Sequence, residues 1–177
     1  MKKVFFMFAF VSSVAAAQAQ TWQPTASSVG FKIKMWGITI DGTLKGLAAT
    51  LRFDPQNAAS SSLTATVDAA TLDTDNSLRN SHLREKEAFF DVAKYPKITM
   101  KSTKIEKTPT GYIGYFDLTI KATTKPLKMP FTFTQTGNKA VFAGSTTINR
   151  RDWSVGGGTL GLSNDVVINL TVSAQMQ

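Results

Sequence analysis

The polar residues best placed to do chemistry are Ser81 and His82, which are adjacent in the sequence. A serine nucleophile needs a base within hydrogen-bond reach, and histidine is the usual base. His82 is the single histidine of the chain, but adjacent residues on a helix point in different directions. A hydrolase would therefore need Ser163 or Asp73 to be brought to His82 by folding. We keep a His82-dependent hydrolase as the weaker alternative.

The remaining reactive residue types give little support to catalysis. Asp73 and Asp75 are spaced to act as paired carboxylates, but aspartates in this setting more often cap helices or close turns. The absence of cysteine excludes disulfides, thiolate metal sites, cysteine nucleophiles and a lipoprotein anchor. One histidine argues against histidine-rich zinc and di-iron sites. The glycines at 156–158 lack the Lys-Ser/Thr of a phosphate loop. We expect no catalytic residue, no metal and no cofactor.

The N-terminal segment has the features of an export signal. Lys2 and Lys3 precede an apolar run over residues 4–17, and Ala17-Gln18-Ala19 is a small-x-small cleavage site. The run is shorter than the ~20 residues that a membrane-spanning helix needs, which disfavours an uncleaved anchor. We therefore predict a signal peptide at residues 1–19, a single mature domain at residues 20–177, and a periplasmic location.

The chain is basic, with 20 Lys and Arg residues against 12 Asp and Glu residues. Solubility is the simplest reason for the excess. Attraction to an anionic membrane surface is a second interpretation, since basic segments bind acidic lipids. Export and the scattered placement of the lysines argue against a nucleic-acid partner.

The residues that would position a site lie mostly on strands. Apolar and polar residues alternate with a period of two, which is typical of antiparallel strands with one wet face. The clearest alternating runs are 29–35, 63–69, 114–120 and 166–172. Leu78 to Glu87 shows helical spacing instead, with Asp75 or Asn76 as its N-cap. A change of phase near Gly46 predicts a β-bulge there.

Long antiparallel strands favour a closed barrel, because an open sheet would leave unpaired edges. The predicted fold is all-β: an antiparallel, about eight-stranded, lipocalin-like barrel with one short inserted helix. An outer-membrane barrel would face its apolar residues outward, but the chain ends in Gln177 rather than an aromatic residue. We therefore favour an apolar lumen, with a solidly packed core as the alternative. The predicted lumen residues are Phe31, Ile33, Met35, Val67, Phe116, Leu118, Phe131, Phe133, Phe142, Ile148 and Ile168.

Several sequence blocks together resemble the YceI-like family, a group of periplasmic lipocalin-like proteins regarded as polyisoprenoid binders. The resemblance runs from about Trp22 to Ala174. Its blocks are Asp73-Thr74-x-Asn76-x-x-Arg79-x-x-His82-Leu83, Phe89-Phe90-Asp91-Val92-x-Lys94-Tyr95-Pro96-x-Ile98, Asp117-Leu118-Thr119-Ile120-Lys121-x-x-Thr124-Lys125-Pro126-Leu127, Ile148-Asn149-Arg150-x-Asp152-Trp153 and Leu162-Ser163-x-Asp165-Val166. The chain departs from the family near its N-terminus, where an Asp and two His are often found and this sequence has none.

The resemblance implies that the barrel holds an isoprenoid or quinone-like lipid, and that two copies form a homodimer. A phosphate or quinone head group would stay near the mouth of the barrel. Arg79, His82 and Arg84 are the predicted head-group contacts, if the helix lies at the open end. The other interpretation is that Arg79 and His82 fix the helix to strand ends. The alternative function is a packed-core barrel that acts as a stress-related interaction module without a ligand.

Overall fold

The computed structural model describes residues 19–177, and the predicted signal peptide lies outside this range except for its last residue. Antiparallel strands make up most of the described chain. The strands are β1 (Gln20–Met35), β2 (Ile38–Leu44), β3 (Ala48–Phe53), β4 (Ser62–Asp68), β5 (Lys97–Thr108), β6 (Gly111–Ile120), β7 (Thr123–Thr136), β8 (Lys139–Asn149) and β9 (Leu162–Met176). Short 3₁₀ turns are formed by Ala58–Ser60, Ala69–Thr71 and Arg150–Trp153.

These strands close into a barrel with eight positions. β9 pairs with one side of β1 from Trp22 to Met35. The other side of β1 pairs with β3 at residues 20–22 and with β2 at residues 29–35. β2 and β3 therefore share one position, and sequential pairing from β3 to β9 completes the ring. The predicted fold is confirmed.

The predicted bulge at Gly46 is wrong, because the strand is interrupted there instead. Residues 45–47 separate β2 from β3, and Gly46 adopts a φ of +70°. The break is fixed by Thr71, whose Oγ1 accepts from the Lys45 amide at 2.9 Å. The far edge of β2 is bridged within the described residues only at Thr43, which pairs with Asp73.

The apolar faces point inward, but they fill the barrel at one end only. We call this the packed end, where Trp22 and Phe53 are fully buried. The Phe53 ring lies 4.9 Å from that of Tyr112 and 4.8 Å from that of Phe133, centroid to centroid. Phe131 and Phe142 complete the aromatic cluster around Phe53. Edge-to-face and tilted packing of this kind stabilises beyond the burial of area alone.

The opposite end, which we call the hollow end, carries the helix and the longest loops. Helix α1 (Ser77–Glu85) lies between β4 and β5, close to the predicted bounds of Leu78 to Glu87. Its N-cap is Asn76, whose side chain accepts from the Arg79 amide at 2.9 Å. No helix within residues 19–177 has both the length and the apolar character needed to cross a membrane.

Candidate functional site

A cavity of about 630 Å³ occupies the hollow end of the barrel. Its walls are the inward faces of the strands, and its lining is almost wholly apolar. A volume of roughly 300–1,000 Å³ is usual for a small-molecule site. Seven of the predicted lumen residues line it: Phe31, Ile33, Met35, Val67, Leu118, Ile148 and Ile168. Their contact with a ligand stays a prediction.

The other four predicted lumen residues do not line this cavity. Phe116, Phe131 and Phe142 surround a separate void of about 50 Å³ at the packed end. Phe133 lines neither space and packs edge-on against Trp22, with ring centroids 5.3 Å apart. These four residues face the barrel interior at its packed end, and their contact with a ligand stays a prediction. Alternation indicates that a side chain points inward, but not whether other side chains fill the space in front of it.

Part of the cavity wall is formed by residues that were not predicted to face the lumen. Ile98 and Met100 on β5, Leu127 and Met129 on β7, and Phe89 after α1 all line it. The two strand pairs show a local alternation that would have identified them. Phe89 follows a helix and lies in a loop, so no periodicity marks its direction.

The cavity opens along one face of α1. Leu78, His82 and Lys86 line the cavity and are also solvent-exposed, which marks them as residues of the mouth. They recur at the spacing of one helix face. The helix therefore lies at the open end of the barrel, which is the condition on which the head-group prediction depends.

Arg79 lies at this mouth but is partly committed to holding the helix. Its Nε donates to Oγ1 of Thr74 at 2.8 Å, and its Nη2 donates to the Thr74 carbonyl at 2.6 Å. The guanidinium has five N–H donors, so two bonds leave others for a ligand. Its role as a head-group contact stays a prediction, alongside the clamping role that the structure shows.

Arg84 does not line the cavity, and its contact with a head group stays a prediction. Its Nε and Nη2 both donate to the carbonyl oxygen of Leu72, which turns the side chain away from the mouth. Buried Asn80 makes a second connection between α1 and the preceding loop, because its Oδ1 accepts a hydrogen bond from the Thr74 amide at 2.9 Å. Arg84 and Asn80 therefore fasten α1 to the loop before it.

Asp73 completes this anchor rather than a pair of catalytic carboxylates. Its Oδ1 accepts from Nδ2 of Asn80 at 2.8 Å and from the amide of Asp75 at 3.0 Å. The Asn80 bond, followed by the Asp75 amide, lowers the pKa of the Asp73 carboxyl below its usual value. The lowered pKa favours the ionised carboxylate, and Asp73 lies in the turn that leads from Leu72 into α1, where its backbone also pairs with Thr43 of β2.

The groups proposed for a hydrolase are not assembled around His82. Ser81 Oγ donates to Oε1 of Glu85 at 2.9 Å, along the exposed side of the helix. Ser163 Oγ accepts from the Asp165 amide at 3.2 Å at the start of β9. Within residues 19–177 no side chain hydrogen-bonds the His82 imidazole. The geometry offers no nucleophile and base pair.

His82 is instead available to a ligand at the mouth. We expect His82→Ala to weaken binding of a prenyl phosphate roughly two- to tenfold, because one hydrogen bond is worth about 0.5–1.5 kcal/mol. Tryptophan-fluorescence titration would measure the change, with the uncharged prenol of equal chain length as the matched ligand. An equal loss for both ligands would contradict a head-group role, since the prenol carries no phosphate.

Arg150 also lines the cavity as a buried cation, and it forms no salt bridge with any acidic residue in the range 19–177. Burial, with a smaller contribution from Arg151, lowers its pKa. All five of its N–H donors are used, at distances of 2.6–3.3 Å. The acceptors are the carbonyl oxygens of Val155, Gly157, Leu162 and Ser163 and Oδ1 of Asn164. This side chain therefore fixes the loop of residues 154–162 and has no donor left for a ligand.

Replacing Arg150 tests this role. We expect Arg150→Met to lower the free energy of unfolding by about 2–3 kcal/mol, because buried carbonyls lose their donors. Urea unfolding gives the value, and faster amide exchange in residues 155–162 would localise the effect. Arg151→Met is the matched control, since Arg151 is exposed and should change stability by less than about 0.5 kcal/mol. Equal effects of the two substitutions would contradict the assignment.

Solved structures share this architecture over most of the chain. BcnA of Burkholderia cenocepacia is 29% identical, with a TM-score of 0.80 over 84% of this chain and 96% of its own. A YceI protein of Campylobacter jejuni is 22% identical, with a TM-score of 0.71 over 100% of this chain and 99% of its own. A polyisoprenoid binding domain from Saccharophagus degradans is 15% identical, with a TM-score of 0.68 over 91% and 100%.

Sequence comparison gives the same result. The UPF0312 protein of Yersinia enterocolitica is 29% identical over 156 residues, which are 84% of this chain and 81% of that protein. The model of the YceI-like domain matches residues 21–174, nearly the whole of the described barrel. The matched range contains the helix that forms the cavity mouth and all nine strands, except for the first residue of β1 and the last two residues of β9. The chain therefore belongs to the YceI-like domain family.

Proposed function

We propose that this protein binds and carries a long isoprenoid or a similar amphiphilic lipid. The observation that carries the proposal is the apolar cavity of about 630 Å³, which opens to solvent along α1. A hydrocarbon chain suits this apolar lining because it has no polar groups to satisfy. The polar contacts of the ligand would be made only at the mouth.

The energetics favour a chain-like ligand over a compact polar one. Each five-carbon isoprene unit gains roughly 2–4 kcal/mol on burial, at ~0.8 kcal/mol per CH₂-sized group. A few units therefore outweigh the entropy lost on straightening the chain. No step in this scheme needs a catalytic group, so we infer a binding protein and not an enzyme.

The family supports the same ligand class. One relative in fold is a polyisoprenoid binding domain, which makes a polyisoprenoid the first ligand to test here. The export signal predicted at residues 1–19 supports action in the periplasm, where a water-insoluble lipid needs a carrier between membranes.

The alternative function, a packed-core module without a ligand, has less support. Its requirement is a barrel filled along its whole length, whereas only the packed end is filled. If side chains filled the cavity, there would be no reason to propose a carrier.

Native mass spectrometry of the purified protein, with lipid extraction, tests the carrier function. We expect protein from the periplasmic fraction to carry a prenyl lipid or quinone, and emptied protein to take one up from detergent solution. Protein that is recovered empty and takes up neither a prenyl lipid nor a quinone would overturn the proposal. Thr64→Trp, on the outer face of β4, provides a folded control that leaves the cavity unchanged.

A further inference from the structure

The exposed apolar side chains of this protein are concentrated around the cavity mouth. Trp36, Ile38, Leu78 and Leu160 are each between 65% and 78% exposed. The other large hydrophobic residues exposed within residues 19–177 are Val141 and Val167, at 40% and 37%. We call the first four residues the apolar rim. Exposed apolar residues gathered at one end of a protein mark an interaction site.

Three segments bring the rim residues together at the hollow end. Trp36 forms the tight turn between β1 and β2, and its amide donates to the Gly161 carbonyl at 2.8 Å. A side-chain carbon at position 161 would lie 2.3 Å from the Trp36 ring, so glycine is needed for the ring to rest on this loop. Leu160 directly precedes Gly161 in this loop. Trp36 is therefore held in place although most of its surface is exposed.

The rim is continuous with the cavity. Leu78 lines the mouth directly, and Met35, which precedes Trp36, lines the wall. Ile38 pairs with Met35 and shares the inward phase of Ile40, so it extends the apolar face of β2 past the cavity. A lipid chain moving out of the cavity would pass along apolar side chains before it reached water.

The charges around the rim select its partner. The rim segments 33–40, 77–86 and 154–162 carry Lys34, Arg79 and Lys86 as cations that can meet lipid, against Glu85 as their only acidic residue. Arg84 is not counted, because its guanidinium bonds the Leu72 carbonyl. Cations beside exposed apolar residues match the anionic head groups and the acyl region of a membrane. Tryptophan favours the membrane–water boundary. A symmetric contact with a second copy would instead bring like charges together, which disfavours it.

The geometry points to the apolar rim as a docking surface for an anionic lipid bilayer, with the cavity mouth facing the membrane. Rim residues enter the interfacial layer, the lysines contact lipid phosphates, and the lipid chain exchanges between bilayer and cavity without crossing water. This goes beyond the proposed function, because docking belongs to the outer surface and not to the cavity.

Trp36 supplies a direct probe. Trp22 and Trp153, the other tryptophans, are buried, so lipid contact should alter only the Trp36 signal. We expect brominated phosphatidylglycerol vesicles to quench the fluorescence of the full mature chain, and Trp36→Phe to lose this quenching. Vesicles of phosphatidylcholine alone should bind weakly, because they carry no net charge.

Two substitutions test the rim without disturbing the core. Ile38→Asp and Leu160→Asp should each weaken vesicle binding by at least about tenfold, from loss of apolar burial and added charge. Val141→Asp, on the outer face of β8 toward the packed end, is the matched control and should leave binding unchanged. Circular dichroism would verify that all three variants are folded.

The outcomes separate this inference from the carrier function. If Ile38→Asp and Leu160→Asp bind vesicles as tightly as the parent protein, docking through the rim is overturned. A different result would be sedimentation showing that the parent protein dimerises and that these variants do not, while no vesicles are bound. That result would assign the rim to a second copy and would also overturn membrane docking. If the protein takes up a prenyl lipid from detergent but does not bind vesicles, docking is overturned and the carrier function is unaffected. If it binds vesicles but takes up no lipid, docking alone is supported.

Discussion

Replacing Ala65 with tryptophan should abolish lipid loading while the barrel stays folded. Ala65 lies on the inward face of β4 and borders both the cavity and the small void behind it. An indole added there extends into empty space, so the usual overpacking cost of about 1–3 kcal/mol in a filled core is largely avoided. The ring would occupy the volume that the lipid chain needs.

Native mass spectrometry after exposure to a prenyl lipid measures this loading. Thr64→Trp is the matched control, because it puts the same ring one residue away on the exposed outer face of the same strand. We expect the control to load like the parent protein. Equal loading of both variants would contradict a ligand in the cavity, and equal loss in both would mean that binding occurs on the outer surface.

Phe53→Ala should be among the most destabilising single substitutions in the barrel. The ring is fully buried and packs against four other aromatic rings at the packed end. Truncating a buried phenylalanine costs about 3–5 kcal/mol, through lost burial and the cavity left behind. Urea unfolding, followed by the fluorescence of buried Trp22 and Trp153, would give the change in the free energy of unfolding.

Ile168→Ala is the control for the hollow end. Ile168 faces the cavity and already lacks packing partners on that side, so its truncation should cost about 1 kcal/mol. We expect the opposite order for function: Ile168→Ala weakens lipid retention, and Phe53→Ala keeps it under conditions where the variant is folded. Equal losses of stability would contradict the division of the barrel into a packed and a hollow end.

Local sequence patterns were sufficient for the architecture. Alternation along β6, with Gly114, Phe116 and Leu118 pointing inward, indicates an antiparallel strand and its buried face. The loss of alternation after Asn76 marks the inserted helix. These properties depend on neighbours a few residues apart, which is why a single sequence contains them.

The extent of the cavity could not be predicted in the same way. Phe116 and Leu118 share a strand face, yet one lies against the filled end and the other against the cavity. The difference arises because Phe53 and Trp22 fill the end of the barrel where Phe116 lies. They are placed there by the pairing of β1 with β3, which are far from β6 in the sequence. Whether space remains depends on the total volume of the side chains that all strands contribute at a given height along the barrel axis. A pattern within one strand does not contain that total.

Long polar side chains are similarly ambiguous. Arg79 and Arg84 lie on one short helix, but Arg79 faces the mouth and Arg84 bonds the Leu72 carbonyl. Buried Arg150 gave no sequence signal for its role, because its acceptors are backbone carbonyls of a loop. Such contacts depend on the path of the main chain, which side-chain types alone do not reveal.

Because the aromatic cluster around Phe53 lies at the packed end and does not line the cavity, the two ends of the barrel can diverge at different rates. Substitutions among the cavity-lining residues alter the shape of the binding space with little cost in folding, so natural variation or laboratory selection can retune ligand preference there. A scaffold with this division is well suited to engineering: a library confined to Ile33, Met35, Met100 and Ile168 should yield mostly folded variants with new selectivity.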